Sequence, residues 1–182
     1  RGRMLPEDNV LLQGTGGVSV FGLQIARAAG ARPIITSSSD EKLERARKLG
    51  AVGTINYKNT SEWSKAVLEL TGGIGTHQTR EVGGSGTLAQ SLAALGPGGH
   101  IALIGGLTGF GGDIPGGALV GRNGSVSGIT VGSRAEFEAL NAFLARHSIH
   151  PIIDRTFGFS EAGAAYDYMD TGSHFGKIVI RH

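Results

Sequence analysis

The segment NVLLQGTGGVSVFGLQIAR, residues 9–27, decides how this chain folds. It begins with a short apolar run, residues 10–12, which ends at Gln13 and is followed by glycines at positions 14, 16 and 17. Apolar residues then recur close to a helical period, at Val18, Phe21, Ile25 and Ala28. The pattern predicts a strand, a tight turn and a helix that begins at Gly17.

The turn and the start of the helix together predict a phosphate site. Glycine permits a positive φ and leaves the backbone N–H groups uncovered, and a helix N-terminus carries about half a positive charge. The spacing is G-x-G-x-x-S, with Ser19 where the dinucleotide fingerprint has a third Gly or Ala. A glycine turn alone is also compatible with a purely structural role. With a parallel sheet around it, we predict pyrophosphate contacts from Gly14, Thr15, Gly16, Gly17 and Val18.

Composition limits the function classes. The chain has 182 residues, enough for one core or one domain plus an appendage, and 32 of them are glycine without a collagen-like period. Its net charge is +2 with both signs interspersed, which argues against a nucleic-acid partner. There is no cysteine, which excludes disulfides and thiolate metal sites and favours a cytoplasmic location. We expect no membrane partner, because no apolar run approaches a membrane span.

Strand and helix patterns alternate along most of the chain. Helices are predicted after Ser38, which opens an S-x-x-E capping box, after Thr60, over residues 87–95, and after Ser133. Strands are predicted at residues 33–36, 54–56, 76–82, 101–104 and 125–131. Such alternation is typical of right-handed βαβ units in a parallel sheet. The fold class is therefore α/β, a Rossmann doubly wound six-stranded parallel sheet over residues 1–147, with a short C-terminal appendage over residues 148–182.

The segments VLLQGTGGVSVFGLQIARAAGA, SSSDEKLERARKLGA, INY, EVGG, GGHIALIG and HFGKIVI cover nearly the whole chain. In that order, they resemble the cofactor domain of medium-chain dehydrogenases/reductases, most closely the quinone-oxidoreductase-like and zinc-type alcohol-dehydrogenase-like members. The resemblance implies hydride transfer between a nicotinamide and a small-molecule substrate, either a carbonyl/alcohol or a quinone/enone. It also implies that a preceding catalytic domain is absent, and that residues 148–182 would return to it.

The same resemblance implies further properties. Any catalytic zinc of the relatives is held by the absent domain, so no metal is expected in this chain, and the catalytic residues are unknown. The scattered histidines, including His147 and His150, lack a third ligand nearby in sequence. A homodimer is expected through the edge of the sixth strand, since an unpaired edge is a template for strand pairing.

The second strand ends in serines rather than in the acid that usually accepts from a ribose 2′-OH. A carboxylate would repel a 2′-phosphate, whereas Ser37 and Ser38 would not. The resemblance implies that a lysine and a tyrosine, here Lys42 and Tyr57, hold that phosphate, so NADP is expected over NAD. The alternative is that Ser38 is only an N-cap and Lys42 only a solvated helix residue.

Loops after the fourth and fifth strands are predicted to line the ribose and nicotinamide, because ligands bind beyond the carboxyl ends of parallel strands. Their residues are Val82, Gly83, Gly105, Gly106 and Leu107, with simple turn glycines as the alternative. The resemblance adds Phe175 and Lys177 from a late cofactor-contacting segment, although Lys177 is also compatible with an ordinary surface charge.

One departure from the pattern concerns the fourth strand, THQTREV at residues 76–82. A central parallel strand should be nearly all apolar, and burying Gln78 or Arg80 without partners would be costly. We therefore expect this strand to be displaced or solvated. A non-catalytic dinucleotide-binding or interaction module is the alternative function, and a methyltransferase is a weaker one because the second strand lacks a ribose-binding acid.

Overall fold

The structure is a computed structural model that describes residues 3–111 and 113–182. Its main sheet is six-stranded and parallel, in the order β3-β2-β1-β4-β5-β6. The strands are β1 (Asn9–Leu12), β2 (Arg32–Ser37), β3 (Gly53–Asn56), β4 (Thr76–Glu81), β5 (Leu95–Leu103) and β6 (Ser125–Gly128). This order is the doubly wound Rossmann topology, so the predicted fold class is confirmed.

Helices connect the strands of the main sheet, and a smaller parallel sheet follows them. The helices are α1 (Gly17–Ala28), α2 (Asp40–Lys48), α3 (Trp63–Leu70), α4 (Leu88–Ala93), α5 (Gly116–Arg122), α6 (Arg134–Arg146) and α7 (Ala162–Asp170). The smaller sheet pairs β7 (Ile153–Gly158) with β8 (Lys177–Arg181). Over residues 3–111 and 113–182, no helix combines the length and the apolar composition of a transmembrane segment.

Several element boundaries differ from the predicted ones. The cap of α2 is Ser39 rather than Ser38, since Ser39 Oγ accepts from the Lys42 N–H at 3.3 Å. Helix α3 begins at Trp63, after the predicted cap at Thr60. Helix α4 is shorter than predicted, and β6 ends at Gly128 instead of residue 131. Helix α5 was not predicted, because two glycines open it and none of its residues is buried.

Strand β5 begins six residues before its predicted start at residue 101 and runs through the glycines that were predicted to lie between elements. Close backbone packing explains this difference. A Cβ on Gly96 would lie 2.7 Å from the Ile74 carbonyl oxygen, and one on Gly99 would lie 2.6 Å from the Thr76 carbonyl oxygen. Only glycine lets the backbone of β5 pass β4 at this distance.

Side chains that alternate along the central strand β1 pack on both faces of the sheet. Val10 and Leu12 belong to a cluster with residues of α1 and α2, whereas Leu11 belongs to a cluster with Trp63 and Val67 of α3. All five side chains are at least 95% buried. Two covered faces are what a parallel sheet requires, and they hold the carboxyl end of β1 rigidly in place.

The segment from residue 148 onward packs against the main sheet domain. The ring of Phe175 is fully buried in the same cluster as Val10 and Leu12. Asp154 accepts from Arg45 of α2 at 2.9 Å. Burial alone would raise the pKa of Asp154, but hydrogen bonds from Tyr168 and Arg45 outweigh it and hold that pKa below its usual value. The domain boundary after residue 147 stays a prediction, although the segment is joined to the domain by these contacts.

The polar strand β4 lies at the centre of the sheet, paired with β1 and β5. It is not displaced, so that alternative was wrong, and the solvated alternative holds only for His77 and Arg80, which are half-buried. Thr79 and Glu81 are fully buried, and Gln78 is hydrogen-bonded to the Arg3 carbonyl oxygen at 3.2 Å. Solvent reaches Arg80 only in part, beside a cavity of about 460 Å³, and burial lowers the pKa of this residue. The strand tolerates its polarity because its buried polar groups have partners.

Candidate functional site

The glycine turn joins β1 to α1 in the conformation that its sequence predicts. Gly14 has a φ of 71°, a left-handed conformation that side chains rarely adopt. Gly16 is the N-cap of α1, with φ −78° and ψ −176°, and it offers no side chain to the free N–H groups of the first turn. That first turn carries no acidic residue. The positive end of α1 is therefore open to an external anion.

Close packing of α1 on β1 supports this turn. Ser19 is buried, and its hydroxyl donates to the Gln13 carbonyl oxygen at 2.5 Å, so the third fingerprint position holds a small residue in contact with the strand. One turn further on, a Cβ on Gly22 would lie 2.7 Å from the Leu12 side chain. These contacts fix the N-terminus of α1 directly behind the glycine turn.

A cavity of about 360 Å³ lies at the carboxyl ends of the central strands. Strands β1 and β4 are neighbours there although they are not consecutive, which makes this the topological switch point where α/β sheets bind ligands. The cavity brings together seven of the predicted residues: Gly14, Gly16, Gly17, Val18, Val82, Gly105 and Leu107. It also includes Gln13, Ser19 and Ile104, which were not predicted to contact the cofactor.

Gly83 and Gly106 are not among the residues that line the cavity, and packing explains why they are glycines. A Cβ on Gly83 would collide with the hydroxyl of Thr87, and one on Gly106 would lie 2.8 Å from the ring of Phe110. Their two loops are bonded to each other, since the Thr108 N–H donates to the Gly83 carbonyl oxygen at 2.8 Å. At these two positions, local packing explains the glycine without a contact to the cofactor.

A second group of predicted residues lies at the carboxyl ends of β2 and β3. Ser37 is buried with its hydroxyl 3.5 Å from that of Thr15, which connects this group to the glycine turn. The Lys42 ammonium donates to the Gly172 carbonyl oxygen at 2.5 Å, and burial lowers the pKa of Lys42. Tyr57 is exposed, with its N–H bonded to the Ser37 carbonyl oxygen at 3.1 Å. Ser38 is half-buried beside them.

The C-terminal segment crosses the glycine turn. Gly176 forms a parallel bridge with Gly16 and donates its N–H to the Thr15 carbonyl oxygen at 3.0 Å. Phe175 faces the core, with the Arg45 guanidinium 4.3 Å from its ring centroid, so its ring does not face the cavity. The Lys177 side chain lies against the start of α1, since a Cβ on Gly17 would lie 2.6 Å from Lys177 Nζ.

Comparison with known proteins decides the family. The family description "Zinc-binding dehydrogenase" matches residues 17–146 of this chain. The chain belongs to the zinc-binding dehydrogenase family. It is 46% identical over 181 residues to a zinc-type alcohol dehydrogenase-like protein of Schizosaccharomyces pombe, covering 97% of this chain and 52% of that protein. The predicted resemblance is thereby confirmed.

Solved structures of two relatives match nearly the whole length of this family member. An NAD-dependent alcohol dehydrogenase matches with a TM-score of 0.89 and 32% identity, over 98% of this chain and 52% of that one. The crotonyl-CoA carboxylase/reductase AntE in complex with NADP matches with a TM-score of 0.89 and 26% identity, over 98% and 50%. The chain thus spans about half the length of these three relatives.

The family description names zinc, but the described residues of this chain form no site that fits a zinc ion. Over residues 3–111 and 113–182, no group of three His, Cys, Asp or Glu side chains is placed to hold a metal ion. The sequence has no cysteine. His147 packs its ring 4.4 Å from that of Phe143, while the carbonyl of His150 accepts from Gln24. No zinc chemistry is therefore assigned to these residues.

The sequence did not predict a role for Gln13, which lines the cavity, or for Glu81, which is bonded to Gln13. Gln13 directly follows the apolar strand β1, and Glu81 ends β4; both are at least 94% buried. Gln13 Nε2 donates to Glu81 Oε2 at 2.7 Å. The only available signal was a polar residue at the end of each of two strands that the topology makes neighbours.

Proposed function

We propose that this chain binds NADP(H) as the cofactor-binding part of an oxidoreductase. Its substrate class would be a carbonyl/alcohol or a quinone/enone pair. The observation that carries the proposal is the position of Lys177, whose ammonium lies against Gly17 at the positive end of α1. A cation at a helix N-terminus is electrostatically unfavourable unless an anion lies between the two. A pyrophosphate supplies that anion, and it would accept from the free N–H groups of the turn as well as from Lys177.

The rest of the cavity suits the other end of a dinucleotide. Val82, Ile104 and Leu107 give it an apolar lining next to the glycine turn. Such side chains exclude water from a nicotinamide ring and orient it, while the bound nicotinamide supplies the hydride chemistry. Glycine at position 105 keeps the loop close, since a Cβ there would lie 2.8 Å from the Val82 carbonyl oxygen.

The choice of NADP over NAD is supported by the charges at the end of β2. Asp40 is the first acid after β2, and its carboxylate accepts from Asn56 Nδ2 at 2.8 Å. Lys42 lies in the first turn of α2, after the hydroxyls of Ser37 and Ser38 that end β2, and its ammonium donates to the Gly172 carbonyl oxygen at 2.5 Å. The serine hydroxyls and the lysine ammonium can all donate hydrogen bonds to a 2′-phosphate. A free 2′-OH needs an acceptor, and among these groups only the serine oxygens can accept. One solved relative holds NADP and another is NAD-dependent.

Lys42→Ala is expected to raise the Kd for NADPH about tenfold, because a charge-assisted hydrogen bond is lost. The Kd for NADH should change less than about twofold. Fluorescence titration of both cofactors measures this, with Lys48→Ala at the far end of the same helix as the matched control. Equal affinities of the wild-type chain for NADPH and NADH would contradict the preference.

We also propose a homodimer through the edge of β6. Strand β6 pairs only with β5 in the described sheet, and the apolar side chains of Val120 and Val131 near it are 83% and 91% exposed. An open strand edge next to apolar side chains favours pairing with a second copy.

Light scattering at high concentration is expected to give twice the 18.7 kDa of one chain. Val131→Lys should shift the mass toward the monomer. Val52→Lys, which lies near the opposite edge of the sheet and is 53% exposed, should not. A monomeric wild-type mass at high concentration would contradict the dimer.

A further inference from the structure

We propose that Glu81 is a positioning residue that fixes the two sides of the dinucleotide cavity relative to each other through Gln13. The inference rests on the proposed function, since it concerns the same cavity. Glu81 is fully buried, and none of the ion pairs among the described residues includes it. A buried carboxylate without a cation must be stabilised by hydrogen-bond donors.

Five donors surround this carboxylate. Glu81 Oε1 accepts from the N–H groups of Gly83 at 2.9 Å and Gly84 at 3.0 Å, and from the Thr87 hydroxyl at 2.5 Å. Glu81 Oε2 accepts from Gln13 Nε2 at 2.7 Å and from the Ser91 hydroxyl at 2.5 Å. The first oxygen therefore holds the loop after β4, and the second holds Gln13, the residue that follows β1.

Gln13 completes the connection between the two strands. Its Oε1 accepts from the N–H groups of Val82 at 3.1 Å and Gly83 at 3.2 Å. Gln13 and Val82 both line the cavity, on the β1 and β4 sides respectively. The positions of these two lining residues are thus set by one carboxylate and one amide that satisfy each other.

The donor pattern requires a carboxylate in this pair. In one orientation, an amide at position 81 would turn its NH₂ group toward the N–H groups of Gly83 and Gly84, which are donors as well. In the other orientation it would turn the NH₂ group toward Gln13 Nε2, and two donors would again face each other. Rotating the Gln13 amide would remove that conflict, but its NH₂ group would then face the N–H groups of Val82 and Gly83. Either arrangement displaces the backbone that lines the cavity.

The test is a double-mutant cycle with NADPH as the titrated ligand. Glu81→Gln is expected to raise the Kd about tenfold, and Gln13→Glu should raise it as well because it places two carboxylates face to face. The double variant has one carboxylate and one amide again. Every donor faces an acceptor once the Ser91 hydroxyl, which accepts from Gln13 Nε2 at 2.9 Å in the wild-type chain, turns to donate to the carboxylate at position 13. The Kd should return to within about threefold of the wild-type value. Such rescue measures coupling between neighbours directly.

Val67→Ala is the control for a merely structural effect. Val67 is equally buried but lies in the cluster under α3, away from the cavity. It should lower Tm while leaving the Kd unchanged, whereas Glu81→Gln should raise the Kd beyond what its Tm loss accounts for. Ser91→Ala removes the hydroxyl that donates to Glu81 Oε2 and accepts from Gln13 Nε2 at 2.9 Å, but it leaves the carboxylate and the amide in place. It is the milder variant if Glu81→Gln does not fold, and it should raise the Kd about threefold.

Three outcomes would overturn the inference. Wild-type affinity in Glu81→Gln, or in Ser91→Ala where only that variant folds, would show that the carboxylate does not position the cavity. A double variant that binds no better than either single variant would show that the two residues are not coupled. A wild-type chain that binds neither NADPH nor NADH would remove the proposed function itself.

Discussion

Gly16→Asp is expected to raise the Kd for NADPH by about a hundredfold or more while leaving the chain folded. Gly16 has a φ of −78° and a ψ of −176°, which any residue adopts, and no atom lies within 4 Å of its would-be Cβ. An aspartate at an N-cap position accepts from the free N–H groups of the helix. It would take the donors that the pyrophosphate needs and would add a repelling charge at the same place.

The same substitution should raise stability, because Asp in place of Gly at an N-cap gains a few tenths of a kcal/mol. Binding and stability therefore change in opposite directions, which distinguishes a blocked site from a damaged fold. Gly163→Asp is the matched control, since Gly163 lies in the first turn of α7 with open space around its Cβ position. Fluorescence titration and thermal unfolding measure the two effects. Gly16→Asp with wild-type affinity for NADPH would contradict the assigned phosphate site.

Phe175→Ala is expected to lower the free energy of unfolding by about 3–5 kcal/mol, the usual cost of truncating a buried phenylalanine. The ring is 1% exposed and packs in the cluster that contains Leu12 and Leu23. The substitution therefore tests whether the C-terminal segment is part of the main core, and urea unfolding at 25 °C measures it.

Phe159→Ala is the control for the same segment. Phe159 is 71% exposed, so its truncation should change stability by less than about 0.5 kcal/mol. A loss below about 1 kcal/mol in Phe175→Ala would show that residues 148–182 are an independent appendage, as the sequence alone predicted. A loss in the expected range would show that residues 148–182 contribute to the stability of the domain before residue 147.

The sequence predicted the features that depend on local pattern. Glycine spacing and the period of the following helix were enough to place the turn at Gly14 and the start of α1 at Gly17. Alternation of elements then gave the parallel sheet, because few topologies satisfy it. The same reasoning brought Val82 and Leu107 to the cavity, since the carboxyl ends of neighbouring strands meet there.

The features that the sequence did not predict depend on contacts between distant residues. Glu81 is 68 residues from Gln13, and a composition-based expectation treated the polarity of β4 as a defect because the partners of its side chains were unknown. Strand β5 was shortened in the prediction because GPGG at residues 96–99 is typical of a turn, whereas the fold uses these glycines for close backbone passage. The contact of Lys177 with Gly17 joins residues from opposite ends of the chain.

The most direct test of the proposed cofactor site is a crystal structure of this chain soaked with NADPH. The pyrophosphate should appear at the N-terminus of α1, accepting from N–H groups of the turn over residues 14–18, with Lys177 Nζ as a further donor. An empty crevice at saturating NADPH, or a dinucleotide bound elsewhere on the chain, would contradict the assignment.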